Sequence, residues 1–166
     1  MRALVVREWT KFENLNIEDD WPSPQVEPGT VKIRTQATGM NFGLSLRVEG
    51  KYQIKPPLPH FPGIELAGYV MEVGAGVTRF QPGDRVTSFV TLGAYAEEAI
   101  APAHRSFRIP DDIPFHKAIG FTSSYMTSYI ALVWPQWIRL QFGETLLVHG
   151  AAGGVGTIAI DIAKIL

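Results

Sequence analysis

The feature that most constrains the fold is a cluster of small residues near the end of the chain. Residues 150–156 read Gly-Ala-Ala-Gly-Gly-Val-Gly and directly follow a short apolar run at residues 145–149. Such a run is typical of a buried parallel strand. After the cluster, a predicted helix has one apolar face, formed by Val155, Ile158, Ala159, Ile162 and Leu166. The order strand, glycine turn, helix predicts the start of an α/β unit.

A turn of this kind can hold the pyrophosphate of a dinucleotide. The N-terminus of a helix offers bare N–H groups and the positive end of the helix dipole to an anion. Glycine is needed at the tight turn, where the phosphate approaches the backbone and where the helix packs on the strand. The candidate cofactor-binding residues are Gly150, Ala151, Ala152, Gly153, Gly154, Val155 and Gly156. The alternative is a tight strand-to-helix turn without a ligand.

The earlier part of the chain has a different texture, with short strands separated by Gly and Pro as far as about residue 108. This pattern is typical of an antiparallel β barrel or sandwich. Apolar and polar residues alternate at residues 31–37, which predicts a strand with one buried face. A short helix is predicted at residues 44–48, and the four prolines within residues 51–63 exclude regular structure there. Further strands are predicted at residues 67–73, 85–89, 94–100 and 106–109, and a helix at residues 118–134, which Pro135 ends.

Composition excludes several classes of function. Lys+Arg 15 against Asp+Glu 16 leaves a net charge of -1 without a basic run, so we expect neither nucleic acid nor a membrane surface as a partner. With no cysteine, disulfides, thiol nucleophiles and every cysteine-based zinc site are excluded. No signal peptide or transmembrane segment is visible, so we expect a cytoplasmic protein.

Several blocks together resemble the medium-chain dehydrogenase/reductase superfamily, and within it the zinc-free, zeta-crystallin-like quinone oxidoreductase branch. The most specific block runs from Gly143-Glu144 through residues 151–156 to Lys164. Asp161 departs from it, because the family pattern usually has Gln at that position. Other resembling blocks are residues 39–41, 62–68, 73–77, 82–86 and 93–97.

The resemblance implies a mixed α/β fold made of two parts. Residues 1–125 would form a GroES-like β-barrel catalytic domain, and residues 126–166 the first β-α unit of a Rossmann NAD(P)-binding domain. Members of the family are much longer, and this chain ends inside an apolar helix. We therefore expect an N-terminal part with little or no activity of its own.

The implied activity is NADPH-dependent hydride transfer to a quinone or an α,β-unsaturated carbonyl. By resemblance, Asn41, Tyr52 and Thr127 would line the nicotinamide and substrate cleft as catalytic residues, and Asn41 and Thr127 would also contact the cofactor. The preference for NADPH over NADH comes from the resemblance alone. The alternatives are an Asx turn for Asn41, a core or surface aromatic for Tyr52, and a hydroxyl bonded to its own helix for Thr127.

No metal is expected. Zinc-dependent members carry a histidine where this sequence has Ile64, in the triplet Gly63-Ile64-Glu65, and isoleucine cannot bind zinc. The four histidines have no pair at ligand spacing, and we expect each at the surface or in a loop. Glu65 is expected to be a structural partner for a buried donor.

Two other functions use the same residues. One is an enoyl-thioester reductase of the same superfamily, and the other is a non-catalytic GroES-like binding module with a vestigial glycine turn. If the protein is a reductase, its expected binding partner is a small-molecule quinone or enone substrate. The full-length form is expected to be a homodimer.

Overall fold

A computed structural model describes residues 1–166, and the chain divides into two compact units. The first unit is Met1–Ile119 and the second is Gly120–Leu166. The domain boundary predicted between residues 125 and 126 falls within the helix Ser124–Val133 of the second unit, and the division into two domains stays a prediction.

Antiparallel strands dominate the first unit. Its elements are β1 (Ala3–Val5), β2 (Asn16–Glu18), β3 (Thr30–Thr38), α1 (Phe42–Val48), β4 (Glu65–Val73), β5 (Arg85–Phe89), β6 (Glu98–Pro102), β7 (Ser106–Arg108) and α2 (Phe115–Ala118). The main sheet has the order β6-β3-β4-β5-β7, and β1 pairs with β2 in a separate small sheet. Short 3-10 helices lie at Phe12–Asn14, Ala103–Arg105 and Ile119–Phe121.

The main core of this unit is formed by apolar side chains that lie on one face of β3 and β4. Val31 and Ile33 on β3 are fully buried and pair across the sheet with Val73 and Val70 on β4. Burial of such side chains contributes about 1.5 to 3 kcal/mol each. The rest of that core is formed by Leu66, Phe80, Val86, Val90, Ala94, Ala99, Ala101 and Ala103.

Two helices form the second unit, α3 (Ser124–Val133) and α4 (Gly154–Ile165). Leu132 on α3 packs with Ala159 and Ile162 on α4 in a small core. Many large apolar side chains of this unit stay exposed, including Phe142 at 94%. No helix of the chain combines the length and the apolar character needed to cross a membrane.

The mixed α/β class predicted from the sequence is confirmed, as are α1, the strands at the centre of the main sheet and the irregular segment at residues 51–63. Two predicted elements are wrong in part, and a third, the strand at residues 145–149, is absent. Residues 94–97 lie outside β6. The amides of Ala94 and Tyr95 donate to the carbonyls of Gly63 and Pro62 in the loop before β4, and the amide of Glu97 donates to the carbonyl of Arg2.

The helix predicted over residues 118–134 is broken between residue 118 and Ser124. Gly120, Thr122 and Ser123 lie at this break, and such residues have low helix propensity. The helix ends before Pro135 as predicted.

Residues 145–149 form no strand. A parallel strand needs neighbours to accept and donate its ladder bonds. Both sheets of this chain lie within the first unit, so residues 145–149 have no strand to pair with.

Candidate functional site

The glycine turn, residues 150–156, forms a compact loop that leads into α4. Gly150 has a φ of 68°, and its carbonyl accepts a hydrogen bond of 3.0 Å from the amide of Gly153. The first bond of the helix runs from the amide of Thr157 to the carbonyl of Gly153, at 2.9 Å. No side chain caps this end of the helix.

The start of α4 therefore carries unused donors. No protein acceptor takes the N–H groups of Gly154, Val155 or Gly156. The turn from residue 150 to residue 155 is exposed. Unpaired N–H groups at the positive end of a twelve-residue helix can bind an anionic group such as a phosphate.

Close packing explains why these positions are glycine. A Cβ on Gly156 would overlap the carbonyl oxygen of Gly150, so only a bare Cα allows the helix to start against the turn. A Cβ on Gly154 would lie 3.3 Å from the hydroxyl oxygen of Ser124. The hydroxyl of Thr157 donates to the carbonyl of Ala151 and holds the turn from its other side. With small residues and unused N–H groups at the start of α4, the turn fits a pyrophosphate.

Helix α3 supports the turn from within the same unit. Ser128 is 1% exposed, and its hydroxyl donates to the carbonyl of Val155 at 2.9 Å. Thr127, the adjacent residue, is exposed, and its hydroxyl forms no hydrogen bond with the protein. The hydroxyl is thus not bonded to its own helix, and it is available to a ligand.

Asn41 and Tyr52 lie in the first unit, at the two ends of the segment that contains α1. Asn41 is the N-cap of α1, and its Oδ1 accepts a hydrogen bond of 3.0 Å from the amide of Leu44. Tyr52 is half-buried, its ring faces the guanidinium of Arg47 at 4.2 Å, and its hydroxyl has no protein partner. Because Thr127 belongs to the second unit, the three candidates do not form one cluster within either unit.

A buried carboxyl group lies beside Asn41. Glu65 begins β4, is 5% exposed, and has one carboxyl oxygen, Oε2, without a hydrogen-bond partner. Burial raises the pKa of Glu65, and the nearby side-chain amide of Asn41 opposes that rise.

The loop at Gly39 is held between Glu65 and Tyr95. A Cβ on Gly39 would lie 2.5 Å from Oε1 of Glu65, so the carboxyl group packs directly on the glycine backbone. The hydroxyl of Tyr95 donates to the carbonyl of Gly39 at 3.1 Å. Burial raises the pKa of Tyr95, and the neighbouring Glu65 raises it further.

All four histidines lie at the surface or in a loop, as expected, and only His60 is buried. His104, His116 and His149 are exposed, whereas His60 is buried and its Nε2 has no partner. Burial lowers the pKa of His60, and the carbonyl of Pro57 at 3.2 Å from Nδ1 opposes this effect. No group of three or more His, Cys, Asp or Glu side chains in residues 1–166 could hold a metal ion.

Sequence reasoning missed the contacts around Gly39. It treated Glu65 as structural and gave Tyr95 no role of its own. The available indication was that Gly39, Glu65 and Tyr95 each fall in a block that resembles the same superfamily. The blocks are far apart in the chain, and only the fold shows that they meet.

Comparisons with known proteins show the family of this chain. Residues 27–111, about half of the chain, match the sequence model of the alcohol dehydrogenase GroES-like domain. The quinone oxidoreductase of Lama guanicoe is 39% identical over 99% of this chain and 49% of its own length. The chain spans about half the length of the curated relatives it matches.

Solved structures with the same fold also extend to about twice the length of this chain. The human synaptic vesicle membrane protein VAT-1 homolog-like protein has a TM-score of 0.93 at 32% identity, covering 100% of this chain and 53% of its own. The Escherichia coli quinone oxidoreductase, solved with NADPH, has a TM-score of 0.89 at 30% identity, covering 100% of this chain and 50% of its own.

Proposed function

Since the chain belongs to the alcohol dehydrogenase GroES-like domain family, we propose that it is the N-terminal part of an NADPH-dependent reductase. The resemblance to the quinone oxidoreductase branch is confirmed for this part of the fold. The proposed substrate is a quinone or an α,β-unsaturated carbonyl, and the proposed reaction uses no zinc. The proposed full-length protein is a cytoplasmic homodimer.

The observation that carries the proposal is the glycine turn with its unused donors. The N–H groups of Gly154, Val155 and Gly156 would hold the pyrophosphate of the dinucleotide. Gly150, Ala151, Ala152 and Gly153 would provide the close backbone approach, because none of them carries more than a methyl group. When bound, NADPH supplies the hydride.

The candidate side chains would orient the reacting groups through hydrogen bonds. Asn41 uses its Oδ1 for the helix cap, so an N–H of its amide is the group left to donate to a carbonyl oxygen. The hydroxyls of Tyr52 and Thr127 have no protein partner and could each donate to a carbonyl or an enolate oxygen. Hydrogen bonds polarise a carbonyl less than a metal ion does, which favours substrates that are already electron-poor.

The test is reduction of benzoquinone by the full-length protein, followed by the loss of NADPH absorbance. We expect NADPH-dependent turnover in the wild type and a large loss in Gly156→Ala, which alters the turn. Gly120→Ala is the matched control, since a Cβ on Gly120 meets no atom within 4 Å.

Each other result points to a different function. Faster turnover of a crotonyl thioester than of benzoquinone would favour the enoyl-thioester reductase. Absence of both NADPH binding and turnover would contradict the proposal and leave the non-catalytic binding module.

A further inference from the structure

We propose that Arg47 is a specificity-determining residue, whose guanidinium group binds a carboxylate on the substrate while the Tyr52 hydroxyl contacts a carbonyl oxygen of the same molecule. The proposal rests on the function proposed above. It narrows the substrate class to quinones and enones that carry a negative charge, and it gives a role to a cation that no motif in the sequence singled out.

The backbone brings Asn41 and Tyr52 to one face of α1. A Cβ on Gly43 would lie 3.2 Å from Oδ1 of Asn41 and 3.7 Å from Cε2 of Tyr52, so both side chains approach the same bare Cα. The amide of Tyr52 donates to the carbonyl of Leu46 at 3.1 Å, which folds the chain back against the end of the helix. Two of the candidate site residues are therefore neighbours.

Arg47 lies on the same face of α1. It follows Gly43 by four residues, and positions four apart are neighbours on the surface of a helix. Its guanidinium carbon lies over the Tyr52 ring, 4.2 Å from the ring centroid, which is within the range of a cation–π contact. This contact positions the guanidinium group beside Tyr52 without using any of its N–H donors.

No acceptor in the chain takes those donors. The Arg47 side chain forms neither an ion pair nor a hydrogen bond. Arg34 on β3 is the one other unpaired arginine that lies over an aromatic ring, and its partner Tyr69 packs on Phe115 of α2. The remaining arginines over aromatic rings each bond to a protein acceptor, and they are Arg7, Arg79, Arg85 and Arg108.

The surroundings of Arg47 carry uncompensated positive charge. Residues 47–55 contain Arg47, Lys51 and Lys55 but a single carboxylate, Glu49. Lys51 pairs with that carboxylate at 2.6 Å, which leaves Arg47 and Lys55 without one. Unbalanced charge of one sign raises the local concentration of ligands of the opposite sign. A carboxylate suits arginine in particular, because the planar guanidinium group can donate two parallel hydrogen bonds to it.

We assign the anion to the substrate and not to the cofactor. The N–H groups at the start of α4 already supply donors for the pyrophosphate of the dinucleotide. Arg47 instead lies beside Tyr52, whose free hydroxyl is a candidate donor to the substrate.

The first test is the binding of benzoate to the 166-residue chain, followed by ¹H–¹⁵N NMR. We expect benzoate to shift the Nε–H signal of Arg47 and the amide signal of Tyr52, and benzamide, a neutral analogue, to leave both in place. Arg47→Gln should abolish the shift at Tyr52. The Nε–H signal of Arg34 is the internal control, since this side chain is also unpaired and over a tyrosine. No shift at Arg47, or an equal shift at Arg34, would overturn the proposal.

The second test compares two substrates of the full-length protein, 3-benzoylacrylate and its methyl ester, which carry the same enone with and without a negative charge. Reduction adds the hydride of NADPH and one proton from solvent across the C=C bond, giving the saturated ketone and NADP⁺. The wild type should have a kcat/KM at least about tenfold higher for the carboxylate. Arg47→Gln should remove this preference, mainly through KM, and should change kcat/KM for the ester less than about twofold.

Two further variants make the second test specific. Arg34→Gln removes an equally unpaired arginine over a tyrosine and should change kcat/KM for either substrate less than about twofold. Arg47→Lys keeps the charge without the planar donors, so it should retain only part of the preference. An equal loss for both substrates in Arg47→Gln would show that Arg47 does not bind the charge. A higher KM for NADPH alone would place the anion on the cofactor, and either result overturns the proposal.

The two tests separate the two proposals. If the wild-type protein reduces neither benzoquinone nor the two enones, the proposed function fails, and the benzoate titration still decides whether Arg47 binds a carboxylate. If the wild type reduces the carboxylate and the ester equally well, only the role of Arg47 fails.

Discussion

Glu65 shows how a single buried group can link the energetics of the fold to the candidate site. Its carboxyl group lies among Asn41, Gly39 and Tyr95, where burial raises its pKa. Tyr95 is the titratable neighbour, and Asn41 is a neutral one. The folded chain therefore binds the Glu65 proton more tightly than the unfolded chain does.

This difference predicts how stability depends on pH. With a pKa raised by folding, Glu65 contributes stability that is fully present below its unfolded pKa and is lost as the pH rises through its folded pKa. We expect Glu65→Gln to remove this loss, so that the variant gains stability relative to the wild type as the pH rises from 4 to 8. Melting temperatures across that range measure the effect.

Glu97→Gln is the control of opposite sign. The backbone amide and the side chain of Arg2 lower the pKa of Glu97, so its contribution is present above its unfolded pKa and is lost as the pH falls. If Glu65→Gln and the wild type followed parallel pH profiles, Glu65 would not have a raised pKa in the folded chain.

Gly156 determines whether the turn and the helix can meet. We expect Gly156→Ala to destabilise the second unit by about 1 to 3 kcal/mol, because the added Cβ overlaps the Gly150 carbonyl. Urea unfolding followed through amide signals of α4 measures the change. Gly120→Ala should stay within about 0.5 kcal/mol of the wild type, and an equal effect of both changes would refute the packing argument.

Elements were predictable from sequence where one local pattern determined them. β3 follows from the alternation at residues 31–37, and α4 from its apolar face, since both depend on residues close in the chain. The strand predicted at residues 145–149 depended on partner strands that this chain does not contain. The glycine turn was found from sequence for the same local reason, whereas the packing of Glu65 on Gly39 brings together two segments far apart in the chain.

Helix α1 provides a test at the level of one element. Asn41 caps it by accepting a hydrogen bond from the Leu44 amide, so a substitution that removes this acceptor should expose the amide to solvent. We expect Asn41→Ala to cost about 1 kcal/mol and Asn41→Ser to cost less, because serine retains an acceptor. Hydrogen exchange at Leu44 measures the cap directly. Equal exchange rates in the two variants would mean that the cap contributes little to α1.

The two units of the chain differ in how fully their backbone groups are paired and in how much apolar surface they bury. The first unit has a five-stranded sheet and three clusters of buried apolar residues. The second has one small cluster, an unpaired segment at residues 145–149, and exposed side chains such as Phe142 and Leu147, the latter at 78%. Little apolar burial and unpaired backbone are the usual marks of local instability.

We therefore expect hydrogen exchange in the 166-residue chain to differ between the units. Peptides from residues 140–166 should exchange at least about tenfold faster than peptides from β3 and β4, because local opening of the second unit breaks fewer contacts. In the full-length protein, binding of NADPH at the glycine turn should slow exchange in residues 150–160, since a ligand that binds only the folded form stabilises it. Mass spectrometry of the chain and of the full-length protein, with and without NADPH, measures both effects. Equal protection of both units in the chain would contradict the first expectation, and unchanged exchange at the turn with NADPH would contradict the proposed cofactor site.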